Sequence, residues 1–267
     1  MRPSRFRTRA LLAFLAIAAT APLFAAEPTT TAPTSLRNTG DAAHLFGYTP
    51  KPGMEAQFDA GYRKHLDWHK THDDPLVWYG WYVTHGARMG TFIDGSFGAP
   101  FAAFDQRVAP AEDAKDNERN FLPYAQPVFR NAYRVRRDLG TATPLEKWEP
   151  TSMVEVHTYK VKPGKAFQFE QIARRVRGVT AASNAKGVHT WYEGVGGTAT
   201  KEYMLMVARE GWAGLEAGPG DLESLLSTIE DATVRRELLA GYAAAIDEVS
   251  SEVWRYRGDL SLIPASE

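Results

Sequence analysis

Lys51-Pro52-Gly53-Met54-Glu55-Ala56-Gln57-Phe58-Asp59 and Lys162-Pro163-Gly164-Lys165-Ala166-Phe167-Gln168-Phe169-Glu170 are one phrase written twice, 111 residues apart. The echo extends on both sides of it. Tyr48 matches Tyr159 at the same offset, and Trp81-Tyr82 matches Trp191-Tyr192 at 110. Phe92 then matches Tyr203, and Phe101 matches Trp212. Finally Tyr133–Leu139 matches Trp254–Leu260 at an offset of 121. The order is kept throughout, so the chain reads as a tandem repeat.

Each copy carries the same series of local signals. His44–Tyr48 and Met153–Val161 are short β-rich runs that stop at Pro-Gly. A helix follows each, with Met54, Phe58, Tyr62 and Leu66 on one stripe and Phe169, Ile172, Ala173 and Val176 on the other. Two strand-like runs come next: Leu76–Thr84 and Thr91–Asp94, then Val188–Glu193 and Tyr203–Ala208. The second helix of the second copy runs from Leu222 through Leu238, Tyr242 and Ile246 to Val249. Its counterpart, Ala109–Asn120, is polar and flanked by prolines, so a short helix plus loop is expected. Ala132–Arg136 and Val253–Arg257 close the copies as strands. The predicted fold is α+β: two tandem ferredoxin-like β-α-β-β-α-β repeats forming one intrachain pseudo-symmetric α/β barrel.

The repeated phrase, Pro-Gly followed by Phe-Asp or Phe-Glu, resembles the start of the first helix in the dimeric α/β-barrel superfamily. The antibiotic-biosynthesis-monooxygenase-like and NIPSNAP-like branches are the nearest in pattern. The resemblance covers nearly all of residues 43–260. It implies a fold that hosts cofactor-free monooxygenases, haem-degrading enzymes and isomerases, as well as proteins without known activity. Haem-degrading relatives use a Trp, an Asn and a His together. No matching Asn motif stands here, so that function does not carry over.

The remaining boundaries come from composition. Residues 1–26 begin with four arginines and an apolar, alanine-rich run, the pattern of a secretory signal peptide. Residues 27–42 are rich in Thr, Ala and Pro and are expected to be a flexible leader. The first repeat then spans 43–140, a linker 141–151, and the second repeat 152–262. The implied location is the periplasm or outside the cell. Taking the four signal arginines from 31 Lys+Arg leaves 27 against 32 Asp+Glu, a net charge of −5. That argues against nucleic acid as a partner. No membrane anchor is expected; a homo-oligomer is compatible. The 267 residues include no cysteine, which removes disulfides, thiol nucleophiles and thiolate metal sites. No G-x-S-x-G, P-loop, H-E-x-x-H or dinucleotide-binding glycine pattern occurs.

Candidate chemistry rests on strand alternation. Glu155, His157 and Tyr159 share one face of their strand, and His189, Trp191 and Glu193 share one face of theirs. With the aliphatic faces turned to the helices, these polar faces would meet inside the barrel. Glu155, His157, His189 and Glu193 would then be the acid–base candidates, because a carboxylate beside an imidazole orients it and raises its pKa. Tyr159, Trp191, Trp78, Trp81 and His85 would line a pocket for a small apolar or aromatic ligand. No cofactor and no metal site is expected. His65, His69 and His72 stand at i, i+4 and i+7; the first two have metal-ligand spacing, but helix-dipole interactions are the expected role. Asp113–Glu118 reads as a solvated helix face. Arg134, Arg136, Arg255 and Arg257 recur with Asp138 and Asp259, the pattern of structural ion pairs where one copy meets the other. The predicted function is therefore small-ligand binding, with a cofactor-independent monooxygenase-like enzyme or a haem- or metal-binding protein as alternatives.

Overall fold

The barrel closes because every strand finds two neighbours. In the computed structural model the strands are β1 (Ala42–Pro50), β2 (Tyr79–His85), β3 (Phe92–Ala99), β4 (Ala125–Val135), β5 (Met153–Val161), β6 (His189–Gly196), β7 (Glu202–Arg209) and β8 (Ile246–Tyr256). Their order around the barrel is β1-β3-β2-β8-β5-β7-β6-β4, and all pairs are antiparallel. The helices are α1 (Glu55–Thr71), α2 (Pro110–Asn120), α3 (Ala166–Ala182), α4 (Leu222–Ser227) and α5 (Ala232–Ala245). The structure describes residues 35–141, 150–182, 189–198, 200–216 and 218–264. The expected signal segment 1–26, most of the expected leader and all but the ends of the expected 141–151 linker lie outside them. Residues 35–41, assigned by composition to the leader, lie against the barrel. Leu36 N–H donates to Pro75 O and Thr39 N–H to Gly98 O. No helix among the described residues is long and apolar enough to cross a membrane.

The strands fall where β-branched and aromatic runs predict them, but several boundaries moved: β3 runs on to Ala99 and β4 begins at Ala125, seven residues before the expected Ala132. The helix expected to reach Val249 stops at Ala245, because β8 pairs with β5 from Ile246 onward. The weak second helix of the N-terminal half is a full eleven residues, with Pro110 in its first turn, where the missing N–H costs nothing.

The two strand faces are the reverse of the expectation. Ala43, Leu45, Val154 and Val156 point into the barrel, with Trp81, Trp254, Phe97, Tyr192 and Met206. The interior of this eight-stranded barrel is filled by side chains, and it takes the aliphatic face. Phe46 and Tyr48 pack under α1 and α2, and Tyr159 under α3 and α4. The polar residues that share those outer faces find partners there, among helix ends and acidic side chains.

Ion pairs lock the two halves reciprocally. Arg136, just after β4, donates to Glu170 on α3 at 2.8 and 2.9 Å and to Asp138 at 2.9 Å. Arg257, just after β8, donates to Asp59 on α1 at 2.8 Å and to Asp259 at 2.7 Å. A tyrosine completes each cluster: Tyr203 Oη donates to Glu170 and Tyr82 Oη to Asp59. The structural role expected for the repeated arginines is thus met at Arg136 and Arg257.

Gly61 sets the distance between α1 and α2. A Cβ there would land on the carbonyl oxygen of Asn120, a backbone atom that cannot swing away. Gly61→Ala should therefore cost about 1–3 kcal/mol, read by chemical denaturation. It should also spread the two helices that build the site described next.

Candidate metal centre

The site grows from two helices of the N-terminal half. His65 and His69, one turn apart on α1, project from the same face and are 5% and 2% exposed. Asp113 and Asp116 project toward them from α2, which packs against α1. His65 Nδ1 donates to Asp116 Oδ2 at 2.9 Å, and Asn120 Nδ2 holds the other oxygen of Asp116 at 2.7 Å. On the far side, Asp74 Oδ2 lies 2.7 Å from His69 Nδ1. The approach is too bent for a linear hydrogen bond, so that contact is chiefly electrostatic. Trp78 Nε1 and Leu76 N–H fix the Asp74 carboxylate at 3.1 and 3.0 Å. Burial pushes the Asp74 carboxyl up, but the close contact with His69 and the bonds from Leu76 and Trp78 outweigh it and leave it below its usual range.

This outer ring decides where the protons sit. His65 faces Asp116 through Nδ1, which puts its hydrogen there and its lone pair on Nε2; that lone pair accepts a hydrogen bond from His69 Nε2. The two Nε2 atoms are 3.0 Å apart. Asp113 Oδ1 lies 3.5 Å from one and 3.7 Å from the other. Three atoms able to ligate thus converge on one point, and a cation bound there would take the place of the hydrogen bond between the rings. Ligands at 2.0–2.1 Å from a tetrahedral ion stand about 3.4 Å from one another, close to the distances seen. Burial, and next the neighbouring His69, pulls the His65 pKa down to about 4, which keeps that ring in the neutral form a metal ligand needs. His65, His69 and Asp113 are accordingly the residues able to hold a metal ion.

A small cavity of about 40 Å³ opens beside the three ligand atoms, walled by Phe46, Tyr48, Trp78 and Phe121. It has room for two or three waters, taking roughly 10–15 Å³ for each. Two buried acceptors line it, Asp94 Oδ1 and Asn117 Oδ1, and neither has a hydrogen-bond partner among the described residues. Tyr62 Oη donates to the other oxygen of Asp94 at 2.8 Å. Burial raises the Asp94 pKa to about 7. Arg107 also lines the cavity and donates to Asp113 Oδ2 at 2.6 Å. The site can hold a divalent ion with open positions facing a few water molecules or a small ligand.

The residues expected to act together fall elsewhere. Glu155 and His157 do meet, at 2.9 Å, but on the outer face of β5, where Arg209 also donates to Glu155 at 2.7 and 2.9 Å. Burial raises the Glu155 pKa, yet these bonds prevail and hold it below the usual carboxylate range. His189 shares their sheet row through Val207, and burial lowers its pKa to about 4. Glu193 turns away from both, held by Arg136 at 3.0 Å and by Lys201. Tyr159 and Trp191 stack in the helix–sheet core at 5.4 Å, and Tyr159 Oη accepts from Leu222 N–H. Trp81 fills the barrel interior, and His85 sits at its rim, 4.7 Å from the exposed Trp212. Of the predicted site residues, Trp78 alone reaches the candidate centre, its ring 5.0 Å from that of His69.

The helix-dipole role expected for all three α1 histidines holds only for His72, whose Nδ1 donates to Trp68 O at 2.8 Å in the last turn. The solvated face expected at Asp113–Glu118 is corrected as well: Asp113 is 3% exposed and turned inward. Asp74, Asp94, Asp113, Asp116 and Arg107 were not singled out from the sequence as site residues. A usable signal existed, since Asp113 and Asp116 are spaced i, i+3 on the helix that follows a buried His-x-x-x-His pair.

Comparison with solved structures places the barrel among known folds. A candidate monooxygenase from Fusobacterium nucleatum subsp. nucleatum superposes with a TM-score of 0.54 at 12% identity, over 81% of this chain and 92% of that one. A candidate monooxygenase from Lactobacillus acidophilus gives 0.51 at 12% identity, over 83% and 95%. Chlorite dismutase from Candidatus Nitrospira defluvii gives 0.50 at 5% identity, over 82% and 91%. No protein-family model matches the chain, and no curated protein matches it in sequence. At such identities the likeness is one of fold: the chain shares the eight-stranded α+β barrel architecture of these proteins.

Proposed function

We propose that this chain is an exported metal-binding protein, a tandem-duplicated member of the dimeric α/β-barrel superfamily. Its divalent transition-metal ion would be held by His65 Nε2, His69 Nε2 and Asp113. One observation carries the reading: two buried imidazole Nε2 atoms 3.0 Å apart converge with Asp113 Oδ1, at 3.5 and 3.7 Å, and a carboxylate stands behind each ring. Two nitrogens and one oxygen suit zinc, cobalt, nickel or iron rather than calcium or magnesium. Asp74, Asp113 and Asp116 lie within 4 Å of the two imidazoles, and Arg107 neutralises only Asp113 among them, so the local field favours a cation. The open positions would face the small cavity, where Asp94 and Asn117 can accept hydrogen bonds from metal-bound water.

This places function in the metal-binding alternative. Acid–base work at His157 and Glu155 is not part of it, since Arg209 and the two residues satisfy one another as a structural network does. The duplication reading is supported by the matching β-α-β-β-α-β order of each half and by the reciprocal arginine pairs. The export reading rests on residues 1–26.

The test is direct. Chelator-treated protein should take up one equivalent of cobalt(II), with visible d–d bands of tetrahedral or five-coordinate type. It should also gain thermal stability with zinc, by RT ln(1 + [L]/Kd). Uptake below 0.2 equivalents at 1 mM cobalt would end the proposal.

A further inference from the structure

Arg107 stands between two cavities. On one side is the small cavity beside the ligand atoms; on the other is a larger one of about 290 Å³, which Arg107 also lines. The larger cavity is mostly apolar, with Leu36, Pro75, Leu76, Pro100, Ala103 and Val108 among its walls. Asp74, which backs His69, is part of the same wall. The metal ligands and the apolar chamber are therefore separated by one guanidinium and one His–Asp pair. Arg107 has five donors, and its one hydrogen bond to a side chain among the described residues goes to Asp113 Oδ2. Its guanidinium carbon is 5.6 Å from the centre of the Trp78 ring, which holds the side chain at the junction.

We propose that the site takes a small monocarboxylate with an apolar tail, the carboxylate on Arg107 at the edge of the metal centre and the tail in the 290 Å³ chamber. This rests on the metal-binding reading for the second contact only. A planar guanidinium with unspent N–H groups matches a carboxylate bidentately, which an ammonium would not do. The chamber supplies the apolar burial that a short alkyl or phenyl tail needs, and its volume is near the low end for small-molecule sites. A ligand carboxylate at Arg107 would also reach the open coordination positions of the ion. The two anchors favour an acid over the matching alcohol or amine.

Hexanoate is the probe, with hexanol and hexylamine as controls, titrated calorimetrically into metal-free and cobalt(II)-loaded protein. Hexanoate should bind both forms, and at least 10-fold more tightly with cobalt, shifting the d–d bands; the controls should bind at least 10-fold more weakly. Arg107→Met should weaken hexanoate at least 10-fold in both forms. Ala103→Phe, which fills the chamber without touching Arg107, should abolish binding. Hexanol binding as well as hexanoate, or hexanoate affinity unchanged by Arg107→Met, would overturn the proposal. Absence of cobalt bands would refute the metal reading alone, because hexanoate binding to the metal-free protein still decides this one. Bands that appear but ignore saturating hexanoate would refute the second contact.

Discussion

Arg136→Leu should destabilise the protein by about 3 kcal/mol, a fall in Tm of roughly 6–12 °C for a domain of this size. The arginine side chain is 12% exposed and binds Asp138, Glu170 and Glu193 at once. Leucine would fill part of the space but leave those carboxylates facing one another with one cation fewer. Arg257→Leu should cost less, because that side chain is 27% exposed and faces fewer acids. The same cluster sets an acid limb. The Arg136 guanidinium holds both the Glu170 and the Asp138 carboxyls down at about 2. A carboxyl whose folded pKa lies below its unfolded value stabilises fully above the unfolded value, near 4.5 for Glu and 3.8 for Asp. That contribution is lost as pH falls toward 2. Urea denaturation of the wild type should therefore show stability dropping between about pH 5 and pH 2, and the Arg136→Leu variant should show a shallower drop. Equal slopes would remove Arg136 from this role.

His69→Ala should lower cobalt(II) affinity by more than about 100-fold, beyond what loss of an outer hydrogen-bond partner usually costs. The variant removes one of three ligand atoms and leaves His65 Nε2 with a distant partner in Asp113. Asp116→Asn is the sharper companion. Its carboxylate touches no ion; it fixes the tautomer and ring angle of His65. The expected loss is about 10–100-fold, with the d–d bands shifted rather than abolished. His72→Ala, outside the cluster, should leave affinity within about twofold, since its ring caps a carbonyl at the helix end. Competition titration against a chromophoric chelator reads all three. Ranking His72 with His69, or finding Asp116→Asn silent, would dissolve the proposed arrangement.

What the sequence discloses and what it hides divide along one physical line. Order and type of elements were legible, because Pro-Gly stops, aromatic strand runs and spaced apolar stripes are local signals. Alternation likewise assigned Glu155, His157 and Tyr159 to one face. It could not say which face looks inward, since both sides of β5 are covered and both carry large side chains. That single ambiguity moved the acid–base candidates from the barrel interior to beneath the helices. The metal centre failed for a different reason. His65 and His69 were visible as a pair, but Asp113 lies in a run, Glu112 to Glu118, that looks like any solvated acidic helix. Only the packing of α2 on α1, at the close approach Gly61 permits, turns it inward.

The covalent joining of the two barrel halves has an evolutionary reading. A barrel assembled from two identical chains must display any site twice or not at all. Here, at the offset of the repeated Lys-Pro-Gly, Val176 stands where His65 stands and Leu205 where Asp94 stands, both packed among apolar neighbours. On the duplication proposed above, fusion would free one half to acquire a metal site without imposing the same residues on its sibling.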